Sequence, residues 1–139
     1  MPDSSLTMAE QVANAARDFQ QQRTGHPPKS VTVVLSDDTL VITLHGALTP
    51  AEQAMAANPV GAAKVQEFHR QLFATASEGL RQEITRITGV DVREAAAEVE
   101  TTTGAVVHAF TSGTMVQVFL LGQHVSAESW NAATPQAIL

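Results

Sequence analysis

The sequence has no cysteine, no tyrosine and few basic residues. Without cysteine, the chain cannot form a disulfide scaffold, a cysteine-ligated zinc site or a cysteine nucleophile. Eight lysines and arginines stand against fourteen acidic residues, which gives a formal net charge of −6. Because a protein that binds duplex nucleic acid needs a basic surface to neutralise phosphates, this charge argues against general nucleic-acid binding.

Long hydrophobic runs are also missing. The longest apolar stretches, 31–35 and 116–121, are far shorter than the roughly 20 residues that span a bilayer. The first five residues carry no basic charge and no apolar run follows them, so no secretory signal is predicted. We therefore expect a cytoplasmic protein that does not insert into a membrane.

The 139 residues and their 44% hydrophobic content suit one globular domain. We predict a single domain over 1–139, with loop-like ends at 1–5 and 122–139. No internal repeat is predicted.

Helix signals are strong in the first part of the chain. A helix is predicted over 7–22, because Thr7 and Glu10 have the spacing of a capping box. Gly25 suits the helix end because glycine adopts a positive φ. The apolar stripe of this helix consists of Met8, Val12, Ala15, Ala16 and Phe19.

A β-hairpin is predicted next, followed by a sharp turn into a second helix. Apolar residues alternate in strands 31–35 and 40–44. Gly46 ends the second strand, and Thr49, Pro50 and Glu52 supply an N-cap, a first-turn proline and a capping acid. These three start signals coincide within four residues.

A long helix is predicted from 59 to 88, with an N-cap and proline at Asn58-Pro59 and a stop at Gly89. Gly79 lies inside it and weakens it locally. The predicted apolar stripe consists of Val65, Phe68, Leu72, Phe73, Ala76, Leu80, Ile84 and Ile87.

The remainder of the chain is predicted to form strands 92–100, 105–110 and 114–121. The last strand is apolar on both faces, so it requires cover on both sides, and a second subunit could provide it. The predicted fold class is α+β: an antiparallel sheet of about five strands, a hairpin plus a three-strand meander, with two helices packed on one face. We accordingly expect a homodimer or higher oligomer.

Two segments carry a family resemblance. The hairpin end Leu44-His45-Gly46-Ala47-Leu48-Thr49-Pro50-Ala51-Glu52 resembles a Gly-Val-Leu-Thr-Pro-x-Glu signature, and 25–31 resembles a Gly-basic-Gly-Pro-x-x-Val segment. Arg70 and the segment Glu98-Val99-x-Thr101-x-Thr103-Gly104 also fit the pattern. The family is the MpsC-like domain, named for a proposed sodium-translocating system that generates membrane potential. The resemblance covers most of residues 6–121.

The resemblance implies an accessory or regulatory cytosolic domain of an ion or inorganic-carbon transport system, with no membrane span of its own. Pro27 stands where the family has a second glycine, and His26 where it usually has Arg or Lys. An anion bound by this loop would therefore be held differently here.

The candidate binding residues are basic. His26, Lys29 and Arg70, with Arg23 nearby, could converge on the helix start at 49–52, where free N–H groups favour an anion. Glu52 already places a carboxylate there, so Thr49 and Glu52 are interpreted as a structural cap; a functional acid would need burial and a partner.

No catalytic residue, metal site or cofactor is predicted. The five histidines have no zinc-ligand spacing, although His45 and His108 could share a sheet face. Asp37-Asp38 suits a hairpin turn, and no nucleophile elbow is present.

Two functional hypotheses follow. The first is a non-enzymatic cytosolic binding or accessory domain that acts as an oligomer with a protein partner or a small ligand. The second is a small enzyme or anion-binding protein whose site forms at a subunit interface from His26, Lys29, Arg70 and His45.

Overall fold

The computed structural model describes residues 6–36, 39–101 and 104–111. Along the chain these residues form α1 (Met8–Thr24), β1 (Ser30–Ser36), β2 (Thr39–His45), α2 (Pro50–Met55), α3 (Pro59–Ala76), α4 (Glu78–Thr88), β3 (Glu94–Glu100) and β4 (Ala105–Thr111). The architecture is α+β, as predicted.

The four described strands form one antiparallel sheet in the order β1-β2-β4-β3. The hairpins β1–β2 and β3–β4 are joined through β2 and β4, where Leu44 pairs with Val106 and Leu40 with Phe110. Since β4 has β2 on one side and β3 on the other, the sequential three-strand meander was a wrong prediction. The predicted strand 114–121 lies outside the described residues, so the count of five strands stays a prediction.

The helices pack on one face of the sheet. Helix α1 packs against β1, β2 and α4, and α3 packs against β3. Burial alternates along β2, with every second residue buried. The core joins strand and helix side chains in one cluster that includes Val12, Ala16, Phe19, Val33, Ile42, Leu44, Val65, Phe73, Leu80, Ile84, Val99 and Val106.

The predicted count of two helices is wrong, since the described part has four. The long helix predicted over 59–88 is divided at Ser77, which closes α3 through a hydrogen bond from its N–H to the carbonyl of Phe73 (3.0 Å). The break allows α3 to pack on β3 while α4 packs on α1. The low helix propensity of Gly79, two residues later, favours an interruption here.

The two outer strands of the described sheet differ in their protection. Helix α3 covers the outer edge of β3, where Gln66 Nε2 donates to the carbonyl of Val99 (3.2 Å) and Arg70 pairs with Glu98 (3.2 Å). No described strand lies on the outer side of β1.

Candidate functional site

The turn after β2 brings three chain segments together around Gly46. Gly46 has φ +62°, and a Cβ added there would lie 2.8 Å from Cγ of Lys29, so both conformation and space require glycine. Nε2 of His26 donates to the Gly46 carbonyl (3.3 Å). The N–H of Ala47 donates to the carbonyl of Gly104 (3.1 Å), which links this turn to the β3–β4 hairpin.

The start of α2 is the predicted capping box. Glu52 N–H donates to Oγ1 of Thr49 (3.1 Å), and Thr49 N–H donates to Oε1 of Glu52 (2.9 Å). Pro50 occupies the first turn, as predicted. Gln53 adds a third contact, because its Nε2 donates to the carbonyl of Leu48 (3.1 Å).

Glu52 also has the burial and the partner that sequence reasoning did not find. Its second oxygen, Oε2, is hydrogen-bonded at 2.8 Å to Nε2 of His69 on α3. The side chains are 14% exposed for Glu52 and 2% exposed for His69. One carboxylate therefore caps α2 and ties it to α3, since each of its oxygens has a different partner.

The burial of His69 corrects the predicted helix stripe. His69 lies four residues after Val65 and four before Phe73, and all three are buried, whereas Phe68 is 48% exposed. The Phe68 ring meets the His69 ring edge-on, with centroids 5.3 Å apart. The spacing of four is visible in the sequence, but the predicted stripe includes Phe68 and leaves His69 out.

A short sequence occurs twice in the chain, at the start of α1 and at the start of α2, which corrects the prediction that there are no internal repeats. Leu-Thr-Met-Ala-Glu-Gln at 6–11 and Leu-Thr-Pro-Ala-Glu-Gln at 48–53 differ at one position. The first copy forms the same capping box, between Thr7 and Glu10, and Gln11 Nε2 donates to the Leu6 carbonyl (3.2 Å). Of the two boxes, the second has its glutamate bonded to a buried histidine.

The candidate anion residues are divided between two ends of the sheet. His26 and Lys29 lie at Gly46, beside the start of β1. Arg70 instead pairs with Glu98 on β3 and with Glu67, each at 3.2 Å. Hydrogen bonding and charge attraction from Glu98, followed by those from Glu67, raise the pKa of Arg70.

Strand order sets the separation between these groups. Two strands, β2 and β4, lie between β1 and β3. With neighbouring strands about 4.8 Å apart, β1 and β3 are separated by about 14 Å. The ion pairs hold Arg70 at Glu98 and Glu67, whereas His26 and Lys29 lie at the turn around Gly46, so convergence of the three on one anion stays a prediction.

The two histidines suggested for a shared sheet face lie on neighbouring strands. His45 Nε2 is hydrogen-bonded to Oγ1 of Thr32 (3.0 Å). The backbone of His108 pairs in register with Ile42 and Ala97. A face shared by the two histidines stays a prediction.

The described ranges contain neither a cluster of metal ligands nor a membrane-spanning helix. Residues 6–36, 39–101 and 104–111 contain no group of three His, Asp or Glu side chains that could hold a metal ion. None of the helices in these ranges is long and apolar enough to cross a membrane.

A polar surface groove of about 440 Å³ lies beside α4, lined by Glu78, Arg81, Gln82, Thr85, Asp91 and Val92. The Arg81 guanidinium in this groove already has a partner, because it donates a hydrogen bond to the carbonyl of Val92 (3.0 Å). This cation therefore braces the segment after α4.

The fold and its capping boxes define a small α+β domain with one helix-covered sheet face. Residues 4–113 match the family described as "Na+-translocating membrane potential-generating system (MpsC)". The chain belongs to this MpsC family, as the resemblance implied. The match ends at 113, so the predicted strand 114–121 lies beyond it.

A relative supports the same grouping. The chain is 24% identical over 110 residues to "Uncharacterized protein YbcI" of Bacillus subtilis (strain 168). The aligned region covers 79% of this chain and 89% of that protein. No solved structure matches the chain significantly.

Replacement of Thr49 by alanine tests the capping interpretation. We expect Thr49→Ala to lower the free energy of unfolding by about 1 kcal/mol, because the Glu52 N–H loses its acceptor. Urea denaturation followed by circular dichroism measures the loss. Thr7→Ala removes the equivalent acceptor from α1 and is the matched control. Unchanged stability together with lost ligand binding or oligomerisation would assign Thr49 a functional role instead.

Proposed function

We propose that the protein is a non-enzymatic cytoplasmic accessory domain that acts as a homo-oligomer and binds a protein partner of an ion or inorganic-carbon transport system. Membership of the MpsC family supports the link to ion transport. The observation that carries the binding role is the sheet itself, whose second face is not covered by any of the described helices.

The β1–β2 part of that second face supports a binding surface. Val34 is 37% exposed and Val41 is half-buried. Thr32 and Thr43 lie beside these apolar residues within the hairpin and pair with each other in register. This β-branched part of the face can pack against another protein surface with little desolvation of charge, whereas on β3 the exposed Glu94 and Glu98 share the face with Ala96.

The ionisable groups favour binding over catalysis. Among the described ion pairs, Glu52 and His69 form the most buried one. Their side chains bond to each other and so connect α2 to α3. Arg70 is bonded to two carboxylates. A general acid or base must reach a substrate proton, and the nearly complete burial of His69 denies that access.

Oligomerisation is tested by light scattering during size-exclusion chromatography. We expect the purified chain at micromolar concentration to elute with at least twice the mass of one chain. A monomer over this concentration range would remove the oligomeric part of the proposal.

The link to ion transport needs a cellular measurement. Deletion of the gene is expected to lower the membrane potential reported by a voltage-sensitive dye, and expression of the wild-type chain should restore it. A potential that is the same with and without the gene, under both low and high sodium, would contradict this link.

A second candidate, an anion-binding protein or small enzyme, is favoured by one cluster. His26, Lys29 and His45 all lie around the turn at Gly46. Arg70 could join them from a second copy, since within one chain it pairs with Glu98 and Glu67. Thermal-shift measurements with bicarbonate, phosphate, nucleotides and divalent metals test this candidate. A rise in melting temperature that is lost in His26→Ala would favour it over the accessory role.

A further inference from the structure

The chain runs through one order of elements twice. A first unit, from residue 6 to residue 45, contains α1 and then the hairpin β1–β2. A second unit, from residue 48 to residue 111, contains α2, α3 and α4 and then the hairpin β3–β4. Each unit opens with the capped hexapeptide that occurs twice, at 6–11 and at 48–53. The second unit is longer because it has two additional helices, α2 and α3.

The helical part of each unit ends in the same hydrogen-bonded turn. Gly25 and Gly89 have φ +74° and +76°, and each donates its N–H to a carbonyl one helical turn back at 2.7 Å. Oγ1 of the preceding residue, Thr24 or Thr88, donates to its own helix at 2.9 and 2.8 Å. The same oxygen accepts the N–H of the residue after the glycine, at 3.2 Å in both units. Connections of equal length then lead to β1 and to β3.

Burial before these two turns also corresponds. When positions are counted back from each glycine, four of them are buried both in α1 and in the segment formed by the end of α3 and α4. The corresponding pairs are Ala9 and Phe73, Ala13 and Ser77, Ala16 and Leu80, and Gln20 and Ile84. Phe19 departs from the pattern, since its counterpart Glu83 is exposed. The helices that end the two units therefore bury largely the same face.

The two hairpins have the same register and the same buried positions. In each hairpin, the first residue of one seven-residue strand pairs with the last residue of the other. Val33 and Ala97, each the fourth residue of its strand, are buried, and so are Leu40 and Val106, each the second residue. A helix of the same unit packs on each outer strand, α1 on β1 and α3 on β3.

The arrangement of the strands has two-fold symmetry. The order β1-β2-β4-β3 places the outer strand of each hairpin outside and the inner strands together. The β2–β4 ladder is centred on the pair Ile42 and His108, each of which is the middle residue of its strand. Two identical strands that pair antiparallel about a two-fold axis give a ladder centred in this way.

We propose that the chain is a tandem duplication of one αββ unit and that its two units pair as the subunits of a two-fold dimer do. The β2 edge of the first unit is thus an interface for one kind of partner, the β4 edge of a second unit. Since this pairing does not require both units to belong to one chain, the same edge also fits the second unit of another copy. The proposal does not depend on the homo-oligomer of the proposed function.

Complementation between two defective full-length chains tests the proposal. Ile42→Asp places a charge in the core of the first unit and Leu80→Asp in that of the second, where these side chains are 0% and 2% exposed. Each variant alone is expected to be unfolded, because an unpaired buried charge is strongly destabilising. The two variants are unfolded in urea, mixed and diluted together. Up to about half of the wild-type helical circular dichroism should return, because each pair of chains has one intact copy of each unit.

A mixture with both defects in the same unit is the matched control. Val33→Asp and Ile42→Asp both alter the first unit, and Val33 is 1% exposed. This mixture has no intact first unit, so it should stay unfolded. Recovery in the control mixture as well, or recovery in neither mixture, overturns the proposal.

A disulfide across the β2–β4 ladder tests the position of the axis, and the chain has no cysteine of its own. Val41→Cys is added to the Leu80→Asp chain and Ala109→Cys to the Ile42→Asp chain, because Val41 and Ala109 pair in register. Residues opposite each other in antiparallel strands are about 5 Å apart between Cα atoms, which suits a disulfide. Gentle oxidation of the refolded mixture is expected to join the two chains.

Moving one cysteine by one strand provides the control for the cross-link. Val34→Cys on β1 replaces Val41→Cys, its partner on β2, and should give no disulfide with Ala109→Cys. Recovery of the circular dichroism without the Val41–Ala109 disulfide would show a different pairing and overturn the two-fold axis.

Failure of this proposal is distinguishable from failure of the proposed function. A wild-type chain that is monomeric in light scattering, with variants that complement each other, removes the oligomer and supports the duplication. An oligomeric wild-type chain whose variants do not complement supports the oligomer and overturns the pairing of units between chains.

Discussion

Replacement of Glu52 by alanine is expected to lower the free energy of unfolding by about 3 kcal/mol. The substitution removes two acceptors at once: Oε1, which accepts from the Thr49 N–H, and Oε2, which binds Nε2 of His69. Because the His69 side chain is only 2% exposed, water cannot easily replace the lost carboxylate. The cost should therefore exceed that of an ordinary helix cap.

The first capping box provides the matched control for this prediction. Glu10 accepts from the Thr7 N–H at the same distance, 2.9 Å. Glu10→Ala is expected to cost about 1 kcal/mol. Guanidinium denaturation of both variants measures the difference, which reports the contribution of the histidine contact. Equal losses in the two variants would show that the Glu52–His69 contact adds nothing to stability.

Replacement of Gly61 by alanine is expected to destabilise the protein by about 2 kcal/mol. A Cβ at this position would collide with the backbone carbonyl of Met55, the last residue of α2. The obstacle is backbone, so a side-chain rotation cannot relieve it. Gly61 also donates its N–H to Oδ1 of Asn58 (2.8 Å), the N-cap residue of α3.

Gly79 offers the opposite outcome for the same substitution. A Cβ added to Gly79 in α4 meets no atom within 4 Å. Gly79→Ala is therefore expected to stabilise the protein by up to about 1 kcal/mol, because alanine has the higher helix propensity. Thermal unfolding of both variants should show shifts of opposite sign. A neutral or stabilising Gly61→Ala would mean that the α2–α3 corner relaxes without cost.

Local features of this fold were predictable from the sequence. The capping boxes at Thr7 and Thr49 depend on residues three apart, and both form as predicted. The helix ends at Gly25 and Gly89 also form, each with φ near +75°. Such signals involve neighbours along the chain, so the rest of the fold hardly alters them.

Long-range partners were not predictable in the same way. The sequence grouped Arg70 with His26 and Lys29 at the helix start 49–52, but it did not reveal that Glu98 on β3 is a partner of Arg70. The insertion of β4 between β2 and β3 depends on how two hairpins meet, and no local pattern specifies that choice. His69 was missed because Phe68 beside it is the more hydrophobic residue, although the helix turns His69 toward the core.

The strand order also has a consequence for the folding pathway. Each hairpin can close from residues near each other in sequence, but the β2–β4 pairing joins residues more than sixty positions apart. Closing such a loop costs conformational entropy before any contact is gained, and pairings of this kind slow folding. The middle of the sheet should therefore assemble last, once α3 and α4 have brought the two hairpins together. Until that step, β2 and β4 each expose the strand edge that pairs with the other in the native sheet. The chain is then most prone to pair with the wrong strand.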